Sequence, residues 1–170
     1  KNGPLPLVKA SLRDLAVIGD KAYITWLKKD KLMVIDLSTG EPAPDIPVPA
    51  PTGICRGNGM ELLVCSGTSI VRVDTAAGVV KTVLEGLTAP TAVAVDRAEN
   101  MYVSELGTCQ QIKKFSPEGK LLAAFGTPGG RPLVVPKYDP MQFRDIVGLA
   151  VGPDGNLWMV ENNNHPRRFI

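Results

Sequence analysis

From Arg13 to Trp26 the chain reads RDLAVIGDKAYITW: an apolar run, a Gly-Asp turn and a second apolar run. The same phrase returns as TGICRGNGMELLVCS, TAVAVDRAENMYVSE and VGLAVGPDGNLWMVE. Behind the first three copies come KLMVIDLSTGE, SIVRVDTAAGV and QIKKFSPEGKL, each a strand-like run closed by a Gly-containing turn. The last copy has begun the same segment with RRFI when the sequence stops. Short apolar runs of period two, bounded by Gly, Asn, Asp and Pro, predict β-strands joined by tight turns. No apolar stripe of helical period accompanies them, so the pattern predicts almost no helix.

The repeating unit is therefore strand, turn, strand, loop, strand, turn, strand. Ala16, Ile54 and Ala94 mark successive units about 40 residues apart, a spacing found in propeller blades. Ala150 comes later because an insertion, Gly126 to Phe143, precedes it. That insertion carries Pro128, Pro132, Pro136 and Pro140, which lack the donor a ladder needs, and is expected to be irregular. The first strands are expected near 14–18, 53–56, 92–95 and 148–151. Four-stranded antiparallel sheets repeated radially make an all-β propeller. The unit boundaries read as 13–51, 52–90, 91–146 and 147–170, one domain of about three and a half blades. A parallel β-helix has shorter coils, and a sandwich does not repeat its turn chemistry this closely.

Two stretches carry a family resemblance. FRDIVGLAVGPDGNLWMVENNNHPRRF resembles the NHL repeat, and APTAVAVDRAENMYVSELGTCQQIKKFSPEGKLLAAFGTPGG looks like a second copy. GPDGNLW also resembles the repeats of streptogramin-lyase propellers. Glu105 and Glu161 stand where many NHL repeats have Asp, and Pro166 interrupts the usual run after His165. The NHL resemblance implies a six-bladed ring, so the chain is expected to be part of a longer propeller. The alternative is a small closed ring, in which Leu5 to Leu12 pairs with the strand beginning at Arg167. Open blade edges would otherwise give a route to self-association.

Composition narrows the classes further. At 170 residues and a formal net charge of +2, the chain fits one domain and shows no basic stripe of the kind RNA binding needs. No apolar run approaches the ~18 residues of a membrane span, so no membrane insertion is expected. No leader pattern opens the chain. Cys55, Cys65 and Cys109 are odd in number and lack metal spacing, so they read as small buried or half-buried thiols.

Function is expected on the face where the loops between second and third strands meet the interblade segments, because loops there vary without disturbing the sheets. The expected ligand-binding rim comprises Trp26, Lys28, Glu105, Gln110, Lys137, Tyr138, Arg144, Glu161, Asn162, Asn164 and His165. Glu105 and Glu161 occupy equivalent repeat positions, so each is expected to bond backbone groups of a neighbouring blade rather than act as acid and base. His165, the single histidine, falls within the repeat motif. No catalytic residue, metal or cofactor is assigned. The reading is a binding module for a protein, glycan or small ligand, without nucleic acid, in an extracellular or periplasmic setting that the resemblance implies. The alternative is a propeller enzyme of the lyase or lactonase kind, with part of its site in further blades.

Overall fold

The computed structural model describes residues 11–132 and 139–162. The first sheet contains β1 (Leu12–Ile18), β2 (Lys21–Trp26), β3 (Lys31–Asp36) and β4 (Pro42–Pro47). The second contains β5 (Pro51–Arg56), β6 (Glu61–Ser66), β7 (Ser69–Asp74) and β8 (Val79–Leu84). In the third are β9 (Pro90–Val95), β10 (Met101–Glu105), β11 (Gln111–Phe115) and β12 (Leu121–Phe125). The last is a pair, β13 (Ile146–Val151) and β14 (Leu157–Glu161). Every pairing is antiparallel between chain neighbours. One 3-10 turn, Leu27–Lys29, is the single helical element among the described residues.

The four expected first strands are β1, β5, β9 and β13, and they pack side by side in that order. Alternation along each strand decides what lies between the sheets. Ala16, Ile18, Tyr23, Leu32 and Val34 of the first sheet meet Ile54, Leu62, Val64, Val71 and Val73 of the second. Leu63, Cys65 and Ile70 meet Val93, Met101 and Val103 of the third. Ile112 meets Ile146 and Met159 of the last, with Phe143 of the insertion closing that cluster. Each fully buried aliphatic side chain contributes about 1.5–3 kcal/mol, so the sheets are held face to face mainly by this packing.

The described parts of the insertion form turns and irregular backbone, as its prolines predict; residues 133–138 lie outside the described residues. So do 1–10 and 163–170, and with them the expected pairing of Leu5 to Leu12 with the strand beginning at Arg167. Leu12 itself belongs to β1. Trp158, which the apolar run suggests as strand filling, is instead 47% exposed. It lies with Val160 on the face of the last sheet turned away from the third, and Leu15 and Val17 are exposed on β1.

A β-bulge marks the start of every first strand: the register shifts between Leu12 and Leu15, Pro51 and Ile54, Pro90 and Ala92, and Ile146 and Gly148. Hydroxyls beside these bulges cross the gaps between sheets. Thr25 Oγ1 donates to the Thr52 carbonyl at 2.7 Å, Thr52 Oγ1 to Pro90 at 3.1 Å, and Thr91 Oγ1 to Ile146 at 2.8 Å. At Gly53 the second and third sheets come so close that a Cβ would sit 2.5 Å from the Thr91 carbonyl oxygen and 2.6 Å from the Ala92 Cα.

At the other end of the sheets, the turn after β9 is closed by Asp96, which accepts N–H bonds from Ala98 and Asn100. Lys114 Nζ lies 3.1 Å from Asp96 and 4.8 Å from the centre of the Tyr102 ring. Burial raises the Asp96 carboxyl, but the Asn100 bonds and Lys114 outweigh it and bring it down to about 2. A depressed carboxyl contributes stability above its unfolded value near 3.8, and that stability is lost as pH falls toward about 2. Asp96→Asn is therefore expected to flatten the loss of stability between about pH 4 and pH 2. Urea unfolding across that window checks it; an unchanged slope refutes it.

Candidate functional site

One backbone bond recurs at the end of the sheets where the interblade segments enter. The N–H of the residue after each second strand donates to the carbonyl just before the first: Leu27 to Ser11, Gly67 to Ala50, Leu106 to Ala89 and Asn162 to Asp145, at 2.9–3.2 Å. These bonds draw the loops and the interblade segments together, so most of the expected rim does share one end of the molecule.

Several of its side chains are occupied by the scaffold. Glu105 is fully buried: Oε1 accepts the Thr88 N–H at 2.5 Å, and Oε2, without a well-angled hydrogen bond, faces the Lys113 ammonium as an ion pair. Glu161, 5% exposed, accepts the Arg144 N–H at 2.7 Å and pairs with Arg131 Nη2 at 3.0 Å. In both cases the backbone group belongs to the segment entering the carboxylate's own sheet, not to a neighbouring blade. The recurring bonds reach the same short distance along the chain, and the bulged first strand brings the segment back to its own second strand. Ser66 sits at the equivalent place and its hydroxyl donates to the Pro49 carbonyl at 2.6 Å.

Gln110 is buried as well: it accepts the Asp145 N–H at 2.8 Å and donates to Gly107 at 3.3 Å. Arg144 donates to the Arg131 carbonyl at 2.6 Å. Trp26 is half-buried, with the Lys31 ammonium 5.0 Å from its ring centre, while Lys28 is exposed on the 3-10 turn. Asn162 is exposed. Lys137, Tyr138, Asn164 and His165 lie outside the described residues. Arg131, the buried partner of Glu161, was not legible in the sequence. It sits in the Pro-rich insertion, out of register with Lys113, its counterpart at Glu105.

Inside this ring of scaffold bonds lies a depression of about 420 Å³. Two sets of repeat-equivalent positions line it. The first is the second residue of each first strand: Arg13, Thr52, Thr91 and Val147. The second is the residue that carries the closing N–H: Leu27, Leu106 and Asn162, with Gly67 as the copy that brings no side chain. Leu12 and Asp14 complete the wall. These positions are geometrically alike, but one or two copies in each set depart chemically: Arg13 and Val147 from threonine, Asn162 from leucine. The signal was present in the repeat alignment, as columns whose chemistry changes while their neighbours keep theirs.

Asp14 is tied down within this wall. Its oxygens accept the Ile54 N–H at 3.0 Å and the Leu15 N–H at 2.8 Å. Burial raises its carboxyl, and those two bonds oppose the rise without cancelling it. Burial also pushes the Cys55 thiol up to about 12, with the Asp14 charge adding to it, and raises Cys65 as well. The three cysteines are free. No group of three or more His, Cys, Asp or Glu among the described residues is placed to hold a metal ion.

Neither a protein-family model nor a curated protein matches this sequence. Solved structures do match its shape. Hydrazine synthase of Kuenenia stuttgartiensis is similar at TM-score 0.70 and 14% identity, over 95% of this chain and 46% of that one. Catalytically inactive virginiamycin B lyase of Staphylococcus aureus, solved with quinupristin, is similar at TM-score 0.65 and 22% identity, over 92% of this chain and 51% of that one. Myxococcus xanthus glutaminyl cyclase follows at TM-score 0.59 and 13% identity, over 87% of this chain and 66% of that one. The chain thus spans about half the length of the first two. At these identities the likeness shows the fold, an all-β propeller segment, and the activities belong to those proteins.

Proposed function

We propose that the chain is a propeller binding module that seats a protein, glycan or small ligand in the depression between its first strands. The observation that carries this reading is a depression in which Arg13 and Val147 take the position held by threonine in the second and third sheets. Thr52 and Thr91 serve the scaffold at this position through their hydroxyl links, whereas Arg13 and Val147 make no such link among the described residues. An extracellular or periplasmic setting and NHL-type blades go with this proposal, on the strength of the repeat resemblance. The lyase and cyclase activities of similar structures suggest an enzyme as the rival reading. It finds less support here, because Glu105 and Glu161 are held in backbone and ion-pair bonds.

The test is an amide-shift titration of the 15N-labelled chain with capped tripeptides and with chito- and cello-oligosaccharides. Shifts centred on Thr52, Thr91, Leu106 and Asn162 are expected. Shifts confined to the opposite end, around Gly152 to Gly155, or none with any of these probes, would overturn the assignment.

A further inference from the structure

We propose that the depression recognises a carboxylate carried on an apolar body, with Arg13 as the anion receptor; this rests on the binding-module reading above. The argument begins with what Arg13 does not do. At the equivalent positions of the second and third sheets, Thr52 and Thr91 each donate a hydroxyl bond to the next sheet. In the first sheet that duty has moved to Thr25, whose hydroxyl reaches the Thr52 carbonyl at 2.7 Å. Residue 13 is thereby released from the scaffold. Its guanidinium has no hydrogen-bond or ion-pair partner among the described residues, and it borders the depression.

The other polar groups of the wall are mostly satisfied. Both Asp14 oxygens accept backbone N–H bonds, and no ion pair joins this carboxylate to Arg13 in the structure. The Thr52 and Thr91 hydroxyls point into the sheets' own carbonyls. The polar side chains of the wall without a partner among the described residues are the Arg13 guanidinium and the Asn162 carboxamide. Around them stand the apolar side chains of Leu12, Leu27, Leu106 and Val147. Lys28 and Lys29 are exposed on the adjoining 3-10 turn and add positive potential at that end. A planar guanidinium holds a carboxylate through two parallel bonds, and a single such group balances one negative charge better than a doubly charged phosphate. Apolar walls reward an aliphatic body, and the Asn162 amide can pair with a peptide group next to the acid.

The experiment titrates the labelled chain with N-acetyl-leucine, N-acetyl-leucinamide and hexanoate. N-acetyl-leucine is expected to bind at least tenfold more tightly than its amide, with shifts at the depression. Arg13→Gln should bring acid and amide within twofold of each other, and Arg13→Lys should retain only part of the preference. Because Arg13 is exposed and unpaired among the described residues, both variants should melt as the parent does. Hexanoate binding as well as N-acetyl-leucine would identify aliphatic acids as the ligand class, and weaker hexanoate binding a peptide C-terminus. Equal binding of acid and amide would overturn the carboxylate inference while leaving the site standing. A preference that survives Arg13→Gln would overturn the role of Arg13. If none of the three probes shifts the depression, the inference falls, and the peptide and oligosaccharide titrations judge the site separately.

Discussion

Gly53→Ala is expected to destabilise the protein by about 3 kcal/mol, at the upper end of what overpacking usually costs. The added Cβ would press on backbone, the Thr91 carbonyl oxygen at 2.5 Å and the Ala92 Cα at 2.6 Å. A side chain there could turn aside; a strand of the next sheet cannot, without shifting the contact between Val93, Met101, Val103 and the second sheet. The hydroxyl link from Thr52 to Pro90 lies next to the same point and would lengthen with it. Urea unfolding should show a lower midpoint with an unchanged slope. A variant as stable as the parent would mean that the spacing of the first strands is adjustable, and the depression with it.

Removing the buried cation of the insertion should be as damaging. Arg131→Ala leaves the Glu161 carboxylate buried without its counter-charge, a loss of about 3–5 kcal/mol for pairs of this kind. The backbone of Arg131 donates to Phe143, and its carbonyl accepts from Arg144, so the base of the insertion should loosen too. Hydrogen exchange at the Gly129, Gly130 and Arg131 amides should rise more than exchange in the first sheet. Adding Glu161→Gln should restore part of the stability, since the amide oxygen can still accept the Arg144 N–H while the uncompensated charge is gone. No recovery in the double variant would show that the pair matters through packing rather than charge.

Much of the fold was legible because strand and turn signals are local. Ala16, Ile54, Ala94 and Ala150 fall in the four first strands, and Gly19, Gly59 and Gly155 sit in left-handed turns that favour glycine. The insertion's prolines foretold the irregular backbone of its described parts by the same local logic. What escaped depends on contacts across sheets. Gly53 reads as one more strand glycine until the third sheet is placed against it. Glu105 and Glu161 were recognised as scaffold, but the groups they bond were set by the bulges, which no local pattern announces. Arg131 reaches Glu161 across 30 residues, through an insertion that has no counterpart in the other units. Of the expected rim, Asn162 lines the depression; the second residues of the first strands complete it because the bulges place them beside the closing bonds.

The hydroxyl links between sheets also set a timetable. Each donor precedes its acceptor in the chain, by 27 residues for Thr25, 38 for Thr52 and 55 for Thr91. A nascent chain emerging at about 5–20 residues per second leaves the first donor waiting about 1–5 seconds and the third about 3–11 seconds. The insertion is what lengthens the last interval. During that interval the third sheet has emerged, yet the face that Ile146 and Met159 will cover is still bare. Between β12 and β13 the emerging third sheet thus carries Ile112 uncovered, and shortening the insertion would shorten that exposure.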